Sequence, residues 1–133
     1  MDRAYELPDG GAFVVGTERF RCTEPLFQPS LVGLEGGGVH ECAYDAVMRC
    51  DVDVRRELYG NVVVVGGSAG IEGLGERLRR ELMMLPPSPP AVRVVVGPEG
   101  RNSCWVGGSL VGSEESFEGR CVSKEEFMEY GPI

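Results

Sequence analysis

The chain has 133 residues and a formal net charge of −8, from 13 Lys plus Arg against 21 Asp plus Glu. This length favours one domain with a core that needs no disulfide or metal, and an acidic chain without a basic stripe argues against binding to nucleic acid or an anionic membrane. Five scattered cysteines, one histidine and no long apolar run argue against disulfides, structural zinc and a membrane span, and favour a reducing, cytoplasmic location.

The chain opens with the pattern of a β-hairpin. Tyr5–Leu7 and Ala12–Val15 flank the sequence Pro-Asp-Gly-Gly, which is typical of a tight turn between strands. After it, residues 23–38 form an apolar, glycine-rich loop with at most a short turn of helix. A long loop of this composition is usually functional or packed against a partner.

Two helices are predicted next. Apolar residues recur at three- and four-residue steps over Val39–Arg49, which predicts a buried amphipathic helix. We expect Asp51 or Asp53 to cap a second helix over Val54–Tyr59, which the following Gly-Asn pair would end.

The middle of the chain predicts a strand, a helix and a strand. Val62–Val65 is a continuous β-branched run, typical of a strand buried on both faces. Leu74–Leu85 carries a leucine stripe and is stopped by prolines before a second strand, Ala91–Val96. Such a βαβ unit crosses over right-handed onto a parallel neighbour, so the predicted fold class is α/β with flanking helices. The stripe residues are Leu74, Leu78, Leu82 and Leu85.

The last third predicts three helices. Asn102–Gly112 is apolar on several sides and is expected to be an interior helix, and shorter helices are expected over Ser116–Gly119 and Lys124–Tyr130. The acidic pairs in this region are typical of solvated faces. The cysteines are interpreted as small buried hydrophobic residues; they are Cys22, Cys42, Cys50, Cys104 and Cys121.

The glycine-rich run Gly66–Gly73 directly follows the predicted strand Val62–Val65. It is the strongest indication of a binding site in the sequence. Backbone without Cβ atoms lets a ligand approach closely, and ligands bind at the carboxyl ends of strands in α/β sheets. The run lacks the glycine spacing of a dinucleotide fingerprint and the lysine of a phosphate loop, and Glu72 would compete with a phosphate for the helix dipole. Two interpretations remain: a site for an uncharged ring or sugar, or a tight turn without a ligand.

His40 and Glu41 offer a weaker cue for acid/base chemistry. Adjacent helical residues do not face each other, and no nucleophile is placed near them by spacing. A capping or surface role is therefore the favoured interpretation, and no catalytic residue is predicted.

Seven blocks of sequence, in order and with nearly unbroken spacing, resemble the carboxy-terminal part of actin. The resemblance spans residues 1–133 and implies part of the two-lobed, ribonuclease H-like ATPase fold, with ATP or ADP and Mg or Ca in a cleft, in a cytoskeletal protein of the cytoplasm. The blocks are Tyr5–Gly10, Glu18–Cys22, Leu26–Ser30, Cys50–Arg55, Glu57–Asn61, Trp105–Ser109 and Val122–Phe127.

The resemblance implies one wall of a nucleotide site near the adenine. The first three glycine-run residues match the family's Gly-Gly-Thr turn, an Arg stands where actins have a Lys, and Gly70 and Ile71 replace the Met and Tyr that cover the base. The phosphate-binding hairpins and cation carboxylates have no counterpart here, so we expect a truncated protein without hydrolysis by this chain alone. The implied nucleotide-binding residues are Gly66, Gly67, Ser68, Gly70, Ile71 and Arg101.

The resemblance also implies two partner-binding surfaces, one for actin or actin-like subunits and one for actin-binding proteins. The first is a hydrophobic plug between subunits, and the second is an apolar cleft in which a glutamate replaces a leucine. An unpaired carboxylate facing an apolar partner is costly, so we expect altered binding there. The plug residues are Leu31, Val32 and Leu34, and the cleft residues are Val111, Glu114 and Phe117.

Three functions remain open from the sequence. The first is an actin-like protein with ATP-linked filament assembly as its family role. The second is a nucleotide-free module that binds actin or its regulators. The third is a flavin or nicotinamide enzyme built around Gly66–Gly73, which would carry a bound chromophore.

Overall fold

The fold is described from a computed structural model that covers residues 2–86, 91–97 and 100–131. The chain divides into two compact units. The first consists of Met1–Val62 and Gly75–Val95, and the second of Val63–Leu74 and Val96–Ile133.

The predicted hairpin is confirmed. Strands β1 (Arg3–Glu6) and β2 (Ala12–Val15) pair antiparallel in the register that places Tyr5 opposite Phe13. Gly10 lies in the turn with φ +84°, a conformation that glycine adopts without a Cβ penalty. The hairpin therefore follows from its turn chemistry and from the alternation on either side.

The loop and the two predicted helices form, with different boundaries. Helix α1 lies directly before the loop, and the loop itself contains two short 3₁₀ turns. Helix α3 is longer than predicted: the Gly expected to end it is its last residue, and Asp51 occupies the N-cap position without a side-chain capping bond. The bounds are Glu18–Arg21 for α1, Glu24–Leu26 and Pro29–Val32 for the 3₁₀ turns, Val39–Met48 for α2 and Val52–Gly60 for α3.

The core of the first unit lies along helix α4 (Leu74–Met84). Leu78 is 5% exposed and Leu82 is 1% exposed, and Phe27, Tyr59 and Val92 are also buried. Full burial of such a side chain contributes about 1.5–3 kcal/mol. The leucine stripe is confirmed, except that its last member lies just beyond the helix and is half-buried.

Arg77 of α4 ties the loop to this core. Its guanidinium carbon lies 4.8 Å from the centroid of the Phe27 ring, and its Nη2 and Nη1 donate to the two Glu24 carboxylate oxygens at 2.9 and 3.3 Å. Its Nε donates to Glu81 at 2.6 Å. A fork-shaped pair to a carboxylate fixes geometry as well as charge, so the loop is held at Glu24 and Phe27.

The strand, helix and strand succession is confirmed. Strands β3 (Val62–Val64) and β4 (Val94–Val96) form a second two-stranded sheet, so the chain has the mixed elements of an α/β fold. The parallel orientation and the ribonuclease H-like detail stay predictions. Burial of the first strand on both faces was the wrong expectation, because Val63 is 63% exposed and the other described elements therefore leave its face of the sheet uncovered.

The second unit holds helices α5 (Ser103–Gly112) and α6 (Lys124–Tyr130). Both were predicted, and the element between them is a 3₁₀ turn, Glu118–Arg120, two residues later than expected. Ser123 caps α6, since its Oγ accepts from the Glu126 N–H at 3.1 Å and its own N–H donates to the Glu126 carboxylate at 2.9 Å. This reciprocal capping explains why so short a helix forms.

Two predictions of burial are wrong, one for helix α5 and one for the cysteines. Helix α5 is not interior, since Trp105 is 76% exposed and Leu110 is 67% exposed. A helix that is apolar all round is normally buried, but the second unit supplies only short elements to cover it. All five cysteines, Cys22, Cys42, Cys50, Cys104 and Cys121, are exposed and free.

The first predicted helix, α2, is also less buried than expected. None of its residues is fully buried, and Val39 is 42% exposed. Across the described ranges, every helix is too short or too polar to span a bilayer.

Candidate functional site

The glycine turn after β3 has a defined backbone geometry. Gly66 has φ +98°, which favours glycine, and its carbonyl accepts the Ala69 N–H at 3.1 Å. The Ser68 carbonyl accepts the Ile71 N–H at 3.0 Å, so the chain forms a 3₁₀ turn over Gly67–Gly70. Within this turn Ala69 is buried, and the other three residues, Gly67, Ser68 and Gly70, are exposed.

Arg101 is brought next to this turn by its neighbour in sequence. The Gly66 N–H donates to the Gly100 carbonyl at 2.7 Å, and Gly100 is buried. A Cβ atom at Gly100 would lie 3.0 Å from the Gly97 carbonyl oxygen and 3.2 Å from the Ala69 Cβ. The role of Gly100 was not predicted from the sequence. The only signal was its position directly before Arg101, the predicted cationic residue.

The turn presents an open backbone surface. Among the described residues, and apart from the adjacent residues in the chain, no heavy atom lies within 4 Å of the positions that Cβ atoms would take at Gly66, Gly67 and Gly70. Ile71 is half-buried and Arg101 is exposed, and the bond between Gly66 and Gly100 places the Arg101 backbone close to the turn. The arrangement has room for a flat group against backbone, and nucleotide binding by these residues stays a prediction.

The divalent cation implied by the resemblance finds no ligand set in the described ranges. Within residues 2–86, 91–97 and 100–131, no group of three His, Cys, Asp or Glu side chains is placed to hold a metal ion. None of the described residues is therefore assigned as a metal ligand.

The plug residues lie on a loop whose backbone is hydrogen-bonded. Gly33 has φ +73° and its N–H donates to the Ser30 carbonyl at 3.1 Å. The side chains of Leu31, Val32 and Leu34 are 56%, 58% and 62% exposed. Leu31 and Val32 also line a cavity of about 370 Å³, so part of this apolar surface is concave.

The cleft residues follow one another on successive turns at the end of α5. The Glu114 N–H donates to the Val111 carbonyl at 3.2 Å, and the Phe117 N–H donates to the Glu114 carbonyl at 2.9 Å. Val111 and Phe117 are 40% and 38% exposed. The Glu114 carboxylate accepts from Arg120 Nη2 at 2.8 Å, so this charge is paired at the surface.

The capping interpretation of Glu41 is confirmed. Its Oε2 accepts the Gly38 N–H at the start of α2 at 2.7 Å; glycine has no side chain to return the bond, so only half of a capping box exists. The His40 ring lies 5.7 Å from the Phe27 ring, and its Nδ1 is buried without a hydrogen-bond partner in the described structure. The two side chains therefore serve different purposes, which does not favour an acid/base pair.

Comparison with known proteins gives a match over the whole chain. A family model described as Actin matches residues 1–133. A Dictyostelium discoideum protein named Putative actin-29 is 40% identical over 134 residues, which cover 98% of this chain and 35% of that protein. The chain thus spans little more than a third of the length of this relative.

Proposed function

The chain belongs to the actin family, and from that membership we propose that it is an actin-like cytoskeletal protein of the cytoplasm that binds actin or actin-like subunits. The observation that carries this proposal is the exposed plug. Leu31, Val32 and Leu34 are each more than half exposed on a loop anchored at Glu24 by Arg77. An anchored apolar loop in water is unfavourable, and its burial against a subunit would contribute a few kcal/mol.

Co-sedimentation with filaments of purified conventional actin tests this proposal. The chain should pellet with the filaments, and the double substitution Val32→Ser with Leu34→Ser should weaken binding by roughly tenfold or more, because apolar area is lost from the contact. Val14→Ser is the matched control, since Val14 is 68% exposed on the hairpin. Absence of the chain from the pellet, or equal pelleting of the plug variant and the control, would refute the plug as the contact.

For the family role in ATP-linked filament assembly, we propose that Gly66, Gly67, Ser68, Gly70, Ile71 and Arg101 form one wall of a nucleotide site. The open backbone at the turn and the neighbouring Arg101 support this assignment. Mg-ATP titration by calorimetry tests it, with Arg101→Ala expected to weaken binding and Arg3→Ala as a surface control. Hydrolysis is not proposed for these residues, because no metal ligand set and no catalytic residue are assigned.

The second candidate is a nucleotide-free module that binds actin or actin-binding proteins. It is favoured by Gly70 and Ile71, which offer no aromatic ring for a base, and by the cleft, where the Glu114 charge is already paired with Arg120. Binding to filaments without measurable Mg-ATP binding would select this candidate. Family membership leaves the flavin or nicotinamide alternative without support.

A further inference from the structure

A second cavity in the first unit, of about 470 Å³, has the volume of a small-molecule site. Helix α3 supplies one wall through Val52, Arg55, Arg56 and Tyr59. Their spacing of three and four residues places them on one face of the helix. Met48, at the end of α2, extends the apolar part of the lining.

Arg55 is held in place at this wall. Its Nε donates to the Cys50 carbonyl at 3.0 Å and its Nη2 donates to the Met48 carbonyl at 2.8 Å. Carbonyls at a helix end lack intrahelical partners, so Arg55 closes the end of α2 and is oriented before any ligand arrives. A side chain that is already ordered loses less entropy on binding.

Arg56 has unused donors at the same cavity. It makes no hydrogen bond or ion pair within the described residues. Tyr59 is 5% exposed, and its hydroxyl is buried without a hydrogen-bond partner in the described structure. A hydroxyl without accessible surface does not reach a ligand in the cavity, so Tyr59 contributes its ring to the apolar lining.

The charges around the cavity are of one sign. No carboxylate is among its described lining residues, and the α3 acids Asp53 and Glu57 lie outside the helix face that lines it. Two arginine residues therefore line a largely apolar cavity in a chain whose net charge is −8. The guanidinium fork matches a carboxylate, whereas the apolar lining would contribute nothing to a bare inorganic anion.

We propose that this cavity binds a small organic carboxylate with an apolar body. The carboxylate accepts hydrogen bonds from Arg55 and Arg56, and the apolar body contacts Met48, Val52 and the ring of Tyr59. This site is independent of the plug, the cleft and the glycine turn, so its test does not depend on the proposed function.

Titration of the full chain with 3-phenylpropionate, followed by amide NMR shifts, tests the ligand class. The carboxylate should give saturable shifts in α3 with a dissociation constant of roughly millimolar order, as expected for a ligand of this size. The neutral analogue 3-phenylpropionamide and inorganic phosphate should each bind at least about tenfold more weakly. Equal binding of the acid and the amide, or no saturable shift, would overturn the proposal.

Two variants test the residues. Arg56→Gln should weaken 3-phenylpropionate binding at least about fivefold, because a charge-assisted bond is lost, and it removes no internal contact on which folding depends. Tyr59→Phe keeps the ring in the lining and removes a hydroxyl that does not reach the ligand, so it should bind like the parent. Arg3→Gln, on β1, is the charge-matched control and should bind like the parent. An Arg56→Gln chain that also binds like the parent would contradict the assignment.

Discussion

Substitution of Gly38 by alanine should destabilise the first unit, because there is no space for the added methyl group. Gly38 is buried at the N-cap of α2. A Cβ atom there would overlap the Phe27 carbonyl oxygen, and would lie 2.7 Å from both the Phe27 carbonyl carbon and His40 Cε1. The backbone of Phe27 cannot rotate away as a side chain would, because its own ring is buried and covered by Arg77.

The size of this effect follows from two opposing terms. Forcing a methyl group into a packed site destabilises the fold by about 1–3 kcal/mol. Alanine also restricts the unfolded chain more than glycine does, and this effect stabilises the fold by about 0.4–1 kcal/mol. The net loss is about 1–2 kcal/mol. For 133 residues, with an unfolding entropy of about 2.1 cal/mol/K per residue, this lowers the Tm by about 4–7 °C.

Thermal unfolding followed by circular dichroism measures this loss, with Gly60→Ala as the matched control. Gly60 lies in α3, and in the part of the chain that the structure describes nothing outside its own helix backbone lies within 4 Å of its added Cβ, so alanine there should raise stability by about 0.5–1 kcal/mol. If Gly38→Ala were as stable as the parent, the close approach of Gly38 to the Phe27 carbonyl would be refuted.

Further measurements address the charged and phenolic groups. A double-mutant cycle of Arg77→Gln with Glu24→Gln should give a coupling of about 0.5–1.5 kcal/mol that falls in about 1 M salt, because Arg77 is 40% exposed; a coupling near zero would contradict the anchor. Hydrogen bonds from Arg79 and Arg80 lower the pKa of Glu76 from 4.5 to about 2, so the stability it contributes is complete above pH 4.5 and is lost as the pH falls toward 2. The acid-induced loss of helix should therefore be shallower in Glu76→Gln, and an unchanged acid profile would contradict this. Burial raises the pKa of Tyr59 above its ordinary 10.0, so stability should decline as the pH rises above 10, and Tyr59→Phe should remove part of that decline in denaturant titrations at about pH 9 and about pH 11.

Local sequence signals predicted the elements that local physics controls. The hairpin was predicted from its turn residues and α4 from its leucine stripe, and the structure shows that α6 forms where Ser123 and Glu126 cap it. Each of these depends on residues close together in the chain. Their positions were therefore readable without knowledge of the neighbours in space.

Burial was predicted less well, because it depends on which other elements are present. The composition of α5 predicts an interior helix, yet Trp105 and Leu110 are exposed. The run that forms β3 predicts a strand covered on both faces, yet Val63 is exposed. A sequence pattern indicates whether a side chain favours burial. It does not show whether another element of the fold lies close enough to bury that side chain.

The candidate site was also predicted only where it depends on local sequence, and not where it depends on contacts between distant segments. The resemblance pointed to the glycine turn and to Arg101, but the bond from the Gly66 N–H to the Gly100 carbonyl depends on a contact between segments more than 30 residues apart. The cavity beside α3 was also missed. Its lining residues have the spacing of an ordinary helix face, and only the structure shows Arg55 bonded to the end of α2.

Because Trp105 is exposed, its intrinsic fluorescence should report whether helix α5 is covered by another molecule. It is the single tryptophan of the sequence and is 76% exposed on α5, so its fluorescence emission should lie at the long wavelengths of an indole in water. Any molecule that covers this face of the helix should shift the emission to the blue and shield it from iodide quenching. Covering of α5 can therefore be followed in solution without a label, at concentrations far below those needed for calorimetry.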